Sequence, residues 1–368
     1  MKRKACILAI IILTLITGLL AACGPEENID INNDTSHEIK IRDMEGRDIV
    51  IKGEINRIVA VGSALRLYTY VNGTEKLVGV EAGQQSAESG RPYIIANPKL
   101  AELPLVGEGH PANPDPELLL SVNPDVIIAG DIMDQVQIQN IQDTIGVPIV
   151  MITTGTNAVF DENMYQAIEI IGQITGKEER VQDIINYMED SRRELAEVTR
   201  DIPDTDKPSV YVGGLSHKGS HGIESTASKS PLLAAINAKN LADELDGQGS
   251  VMVDKEQIVK WNPDVIIIDQ NGLNIVREDY KKNPEFYNTL TAVKEGNLYG
   301  QLPYVSYYNN IETALADVYF VGKVLYPHTF QDIDPAEKAD EIYNFFLGKP
   351  LYNIMAERYG GYGKVDLD

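Results

Sequence analysis

The hexapeptide Asn-Pro-Asp-Val-Ile-Ile stands at residues 123–128 and again at 262–267, 139 residues later. The flanks repeat as well. Pro116, Glu117, Leu118, Leu119, Leu120, Ser121 and Val122 precede the first copy; Lys255, Glu256, Gln257, Ile258, Val259, Lys260 and Trp261 precede the second. Both runs read as helices. Each is expected to stop at Asn-Pro, because proline has no amide hydrogen and biases the residue before it away from the α region. Val-Ile-Ile then reads as a strand buried on both faces of a parallel sheet. One helix–break–strand unit in each half predicts two lobes of similar build with a cleft between them. At 368 residues the chain is long enough for both.

The rest of the pattern fits that plan. Residues 37–43 and 47–52 alternate around Met-Glu-Gly, as a hairpin does. Strands are expected at 57–62, 76–80, 126–129 and 147–152, with a helix over 64–71. The second half repeats the scheme with strands at 209–214, 265–268 and 297–299 and a helix over 310–325. Asp334, Pro335 and Glu337 then supply an N-cap, a first-turn proline and an N3 carboxylate for a helix running to Gly348. Residues 349–368 carry no clear pattern. Between the halves, Thr175-Gly-Lys-Glu178 reads as a capping box. Val181, Ile184, Ile185, Met188, Leu195 and Val198 follow at helical spacing. A helix over 177–200 would measure roughly 35 Å, enough to strut two lobes. The expected fold is therefore α/β: two Rossmann-like lobes with parallel sheets (37–174 and 203–368) joined by a single long α-helix within 175–202.

Residues 1–22 have the make-up of a secretory signal peptide: Lys2, Arg3 and Lys4, then an apolar run, then Leu20-Ala-Ala. Cys23 directly after the small residues resembles the bacterial lipoprotein box, which implies lipidation of Cys23 and a lipid-anchored protein on the outer face of the cytoplasmic membrane. An uncleaved membrane anchor is the alternative, since the run is near the minimum length of a span. Residues 23–36 are polar and acidic and read as a flexible tether. Cys6 and Cys23 are the only cysteines, so the mature chain forms no internal disulfide. Loss of the leader takes three of the 32 Lys+Arg and leaves all 55 Asp+Glu, a formal charge of −26. Such a surface excludes nucleic acid as a partner.

Ligands of open α/β sheets bind beyond the carboxyl ends of the strands. The candidates there are Arg66 and Tyr68 after the first strand, and Glu81, Arg91 and Tyr93 after the second. His110 lies before the first repeat, and His217, Lys218 and His221 lie in a glycine- and serine-rich loop after residue 214. Tyr304, Tyr307, Tyr308 and Asn309 stand before the 310–325 helix. Arginines suit carboxylates, and tyrosines offer a flat face with a hydroxyl. His217 and His221 are four apart, but the glycines around them argue against the helix that a zinc pair needs. Exposed loop histidines and surface arginines are the plainer readings. No Gly-x-Gly-x-x-Gly after a strand, phosphate loop, His-Glu-x-x-His or Gly-x-Ser-x-Gly is present, so no enzyme signature stands out and no cofactor is expected.

The lipoprotein box, the hairpin Ile-Arg-Asp-Met-Glu-Gly-Arg-Asp-Ile-Val-Ile, the following Asn-Arg-Ile-Val-Ala-Val and Leu-Val-Gly-Val, the two Asn-Pro-Asp-Val-Ile-Ile units and the single linking helix occur in that order. Over about 38–346 this resembles the iron-complex (siderophore, haem, cobalamin) substrate-binding proteins of ABC importers. The resemblance implies a monomeric receptor that holds a metal chelate in the interlobe cleft and delivers it to a permease and its ATPase. It also implies acidic residues on each lobe that meet the permease; by position these are Asp134 and Glu278. Two alternatives stay open: a direct zinc or manganese receptor using His110, His217 and His221, and a two-lobed chelatase-like enzyme.

Overall fold

The computed structural model describes residues 38–86, 90–109, 113–130, 135–154, 159–216, 219–306 and 308–368. The leader, Cys23 and the tether lie outside them, as do His110, Asp134, His217, Lys218 and Tyr307. Among the described residues no helix is long and apolar enough to cross a membrane.

The expected hairpin is present: β1 (Glu38–Arg42) pairs antiparallel with β2 (Asp48–Lys52). Its turn fastens onto an edge strand, with Met44 N donating to Met151 O at 3.0 Å and Met151 N to the Asp43 carboxylate at 3.1 Å. The first lobe is a four-stranded parallel sheet in the order β4-β3-β5-β6, built from β3 (Ile58–Gly62), β4 (Leu77–Gly79), β5 (Val126–Gly130) and β6 (Ile149–Ile152). The second is a five-stranded sheet in the order β15-β12-β11-β7-β9. Here β7 (Ser209–Gly213), β9 (Lys239–Asn240), β11 (Val265–Asp269) and β12 (Leu298–Gln301) run parallel, and β15 (Gly363–Lys364) closes the edge antiparallel. Two short ladders stand outside the sheets: β8 (Ser225–Ser228) with β10 (Gly249–Met252), and β13 (Val305–Ser306) with β14 (Tyr308–Asn309). Every residue of β3, β5, β7 and β11 is buried, as strands covered on both faces must be.

The helices that matter to the site are α1 (Ser63–Asn72), α2 (Pro92–Ala96), α3 (Pro116–Val122), α4 (Gln135–Ile145), α5 (Glu162–Thr175), α6 (Glu178–Thr199), α7 (Pro231–Ala235), α8 (Lys255–Trp261), α9 (Leu273–Lys282), α10 (Pro284–Thr289), α11 (Thr291–Lys294), α12 (Ile311–Leu325), α13 (Pro335–Leu347) and α14 (Tyr352–Tyr359).

The repeated hexapeptide does the same work twice. α3 and α8 each end on the motif's asparagine, which takes a left-handed conformation (φ 41° at Asn123, 45° at Asn262). Asparagine tolerates that region better than other side-chain-bearing residues, so the helix stops one residue before the proline. The aspartate then fastens the neighbouring strand. Asp125 accepts from the amides of Asn56 and Arg57, both at 2.8 Å, at the start of β3. Asp264 accepts from the Ser209 amide at 2.8 Å and its hydroxyl at 2.6 Å, at the start of β7. Each carboxylate thus pins a central strand to its parallel partner.

The junction differs from expectation in one respect. Thr175 does not cap α6; it is the last residue of α5, and its hydroxyl bonds back to Ile171 O at 2.8 Å. Gly176, left-handed at φ 69°, ends α5, and Lys177 opens α6 without a side-chain cap. A buried threonine hydroxyl is satisfied most directly by its own helix. α6 itself spans 22 residues, roughly 33 Å, and buries Val181, Ile184, Met188, Ser191, Leu195 and Thr199, while Val198 faces solvent. It touches both lobes. Arg180 donates to Tyr70 O at 3.1 Å and to Phe345 O at 2.5 Å. Tyr165 donates to Glu189 at 2.6 Å, and Tyr319 to Glu194 at 3.3 Å.

One apolar core runs through both lobes. Ile58, Ala60 and Ile128 from the first sheet and Val210, Val212 and Ile267 from the second belong to the same buried cluster, filled in by α5, α6, α12 and α13. Alternate residues of the same strands face separate outer clusters. The Asp334 cap and the Gly348 stop of α13 form as expected. The unpatterned tail becomes α14 and β15.

Replacing Asp264 with Ala removes the acceptor for two donors at a strand start. Urea unfolding is expected to show a loss of about 1–3 kcal/mol, with the same direction for Asp125→Ala; wild-type midpoints for both would contradict the suture.

Candidate functional site

The carboxyl ends of both sheets carry polar residues that belong neither to the strands nor to the covering helices. In the first lobe, β4 leads into Glu81, which is fully buried and accepts from the Gly62 amide at 2.7 Å. Gly62 ends β3 and precedes α1, so the chain's own carboxylate fills the place where an anion would meet a helix N-terminus. Burial pushes the Glu81 carboxyl up. Arg91 lies beside it, donating to Gln84 Oε1 at 2.9 Å and Gly83 O at 2.5 Å, and Tyr93 donates to the same Gln84 oxygen at 2.5 Å.

In the second lobe, Asp269 ends β11 and accepts from the Asn271 amide at 3.0 Å. Asn271 donates in turn to Ser216 at 2.7 Å and Ser220 at 3.0 Å, which ties down the loop bearing His221. Gly272 permits this approach: a Cβ there would stand 2.5 Å from the carbonyl oxygens of both Gly214 and His221. Gln270 donates to Gly360 O and Gly361 O, both at 2.9 Å, and so brings the C-terminal tail to the site. Asp317 accepts from Leu302 N at 3.2 Å and Tyr362 Oη at 2.8 Å. Complete burial pushes the Asp269 carboxyl up to about 8, and burial with the Asp269 charge nearby drives Asp317 up as well. A cavity of about 20 Å³ borders Asp317, Tyr304 and Gln301.

Several contacts among the described residues join the lobes. Arg66 on α1 donates to Asn309 O at 2.6 Å and to Ser306 O at 3.3 Å. Tyr70, one turn on, donates to the Glu312 carboxylate. Lys349 donates to Ala96 O at 2.6 Å. Tyr359 presses its hydroxyl against Gly90, where a Cβ would lie 1.7 Å from it and φ is +68°.

The sequence candidates therefore separate. Arg66 and Arg91 are buried (3 % and 4 % exposed) and direct their guanidiniums at backbone carbonyls and Gln84 instead of open space. Tyr68 points away from the site, donating to Glu75 O within the lobe. Tyr93 and Tyr304 are buried as well. His221, Tyr308 and Asn309 remain partly exposed at the carboxyl ends. Glu278 is exposed on α9, 3.0 Å from Lys281. His110, His217, Lys218, Tyr307 and Asp134 fall outside the described residues. Among the described residues no group of three His, Cys, Asp or Glu is placed to hold a metal ion. Sequence reasoning passed over Tyr70, Gln84, Gln270, Asn271, Glu312, Asp317 and Tyr359. It passed over Asp269 too, which had a signal: β5 ends in Ala-Gly where the matched β11 ends in Ile-Asp, an acid closing a buried strand.

Residues 73–303 match the profile of the periplasmic binding protein family. The chain belongs to that family. It is a substrate-binding protein of an ABC importer, not an enzyme. An uncharacterized ABC transporter substrate-binding lipoprotein, YvrC of Bacillus subtilis, is 25% identical over 337 residues, covering 90% of this chain and all of the relative. The molybdate-binding protein MolA of Haemophilus influenzae is 23% identical over 326 residues (83% of this chain, 90% of the relative). An iron-uptake system-binding protein of Bacillus subtilis is 28% identical over 198 residues, 52% of this chain and 59% of the relative. A periplasmic solute binding protein from Veillonella parvula shares the fold with a TM-score of 0.68 at 23% identity, covering 88% of this chain and 96% of that structure.

Asp269 makes stability fall with pH. Its folded value of about 8 lies above the unfolded value of about 4, so the folded state holds the extra proton between them. Stability from this group is full below about pH 4, declines up to pH 8 and is flat beyond. Denaturant unfolding at pH 5 and pH 8.5 is expected to show a smaller loss for Asp269→Asn than for wild type; equal losses would contradict it.

Proposed function

We propose that the mature protein, lipid-anchored through Cys23 on the outer face of the cytoplasmic membrane, captures an iron–siderophore, haem or corrinoid-type chelate between the lobes 37–174 and 203–368. It then hands the chelate to a permease. Glu278, exposed and acidic on α9, is a docking candidate on the second lobe, and Asp134 its counterpart on the first.

The Glu81 contact carries the choice of cargo. The helix end at Gly62 is filled by a carboxylate, and Arg66 and Arg91 are turned to the protein's own acceptors. That leaves no ready cradle for a small oxyanion among the described residues. The exposed and partly exposed groups there include the Ser220 hydroxyl, the His221 imidazole, the Asn271 amide and the Tyr308 and Asn309 side chains. Such hydrogen-bonding groups match the amide and oxygen periphery of a large chelate. The iron-uptake relative points the same way. A second reading, an oxyanion such as molybdate, is favoured by the similarity to MolA over most of that protein's length.

Calorimetry separates the two. Trp261 stands at the amino end of β11, away from the site, so tryptophan fluorescence is a poor reporter. With delipidated protein, haemin, a ferric tris-catecholate, a ferric hydroxamate or cyanocobalamin is expected to bind with Kd near or below ~1 μM. Molybdate alone binding, with none of the chelates, would replace this reading with the second.

A further inference from the structure

Arg66 sits in the first lobe, yet its two Nη donors serve the second. They reach the carbonyls of Ser306 and Asn309, which stand at opposite ends of the tight β13–β14 hairpin. The guanidinium lies over the Tyr93 ring, 5.1 Å from its centroid, and Nε is buried without a hydrogen-bond partner. Glu312, in the first turn of the helix after the hairpin, is in electrostatic contact with Arg66 and accepts from Tyr70. Arg66 and Tyr70 lie four apart on α1, hence on one face. One face of a first-lobe helix therefore grips residues 306–312 of the second lobe.

Desolvating an arginine is costly unless its donors are matched, and two backbone carbonyls at fixed spacing suit a planar fork. With the lobes apart, water would solvate the guanidinium and the hairpin would lose both Arg66 donors. We propose that Arg66 is a positioning residue: it clasps the β13–β14 hairpin across the lobes, so that Tyr308 and Asn309 take their site-facing form only while the lobes are together. This rests on the receptor reading for its purpose but not for its geometry. It makes the shape of the second-lobe wall depend on the first lobe. It also assigns Arg66 to the architecture of the site and not to contact with the cargo.

Hydrogen–deuterium exchange on the full mature chain tests the clasp without any ligand. In Arg66→Met, peptides covering 302–310 are expected to exchange roughly tenfold faster, the size of losing one charge-assisted hydrogen bond. Peptides from β3, β5, β7 and β11 should keep their protection. Arg66→Lys, which keeps the charge and most of the stem, is expected not to restore protection, because an ammonium cannot serve two separated carbonyls as a fork does. It also stands as the folded variant if Arg66→Met does not fold. Calorimetry with haemin, a ferric tris-catecholate and cyanocobalamin adds a binding arm, with affinity for whichever binds wild type falling by a similar factor in both variants. Unchanged exchange at 302–310, or full rescue by lysine, overturns the clasp. If wild type binds none of the three probes, the chelate reading fails while the exchange comparison still decides the clasp.

Discussion

The fold depends on two carboxylates that fasten strands at their amino ends. A parallel sheet has evenly spaced but slanted hydrogen bonds, and its edges of register are set by whatever anchors the strand starts. Asp125 ties β3 to β5, and Asp264 ties β7 to β11. With the central pair of each sheet anchored at its start, Gly62 pairs with Gly130 and Gly213 with Ile268 at the carboxyl ends. Gly62, Gly130, Gly213 and Asp269 are the last residues of those four strands; Glu81 bonds back to the first of them, and Asn271 caps the last. The repeated hexapeptide is thus a structural device whose effect is felt at the far end of the strands it starts.

The opposite end is dominated by buried acids. Glu81, Asp269, Glu312 and Asp317 are all almost wholly removed from water in a chain of net charge −23. Burial raises each of them, and none is neutralised by a direct ion pair among the described residues. Glu81 is served by a backbone amide, Asp269 by the Asn271 amide, Glu312 by a phenol, and Asp317 by an amide and a phenol. Placing carboxyls where solvent cannot reach them costs stability. Such costs are usually tolerated where a site needs its geometry fixed. Here Glu81 fixes the entry to α1, Asp269 the 269–272 turn and Asp317 the strand-end at Leu302, while Glu312 ties α12 to Tyr70 of α1.

The large-scale plan was legible because it rests on local physics. Apolar tetrapeptides, Asn-Pro stops and the Asp334–Pro335–Glu337 cap each declare themselves within a few residues, and the strands and helices expected from them, α6 included, fall within a residue or two, while β9, β15 and helices such as α4 and α5 were not foreseen. Thr175 misled because a Ser/Thr-x-x-Glu pattern does not reveal that the preceding helix has already claimed the threonine. The site was far less legible. Arg66 and Arg91 carry the residue type of a ligand clamp, but their partners lie 243 residues away in one case and within eight in the other, and spacing alone cannot tell such bonds from ligand contacts. Gln270 meets Gly360 and Gly361 because the tail returns as β15 on the edge of the second sheet. That contact is long-range and leaves no periodic trace.

The shared core decides how such a receptor can move. A hinge joining two independent cores opens at little cost, whereas Ile58 and Ile128 of one sheet here share a continuous buried cluster with Val210 and Ile267 of the other. Wide separation would expose that cluster, at about 25 cal/mol per Å² of apolar surface. It would also strip Arg180 of its carbonyls on Tyr70 and Phe345. Small sliding of packed helices is a cheaper motion than such a separation. Cross-lobe contacts such as Arg66 to the Ser306 and Asn309 carbonyls add to the cost of parting the lobes.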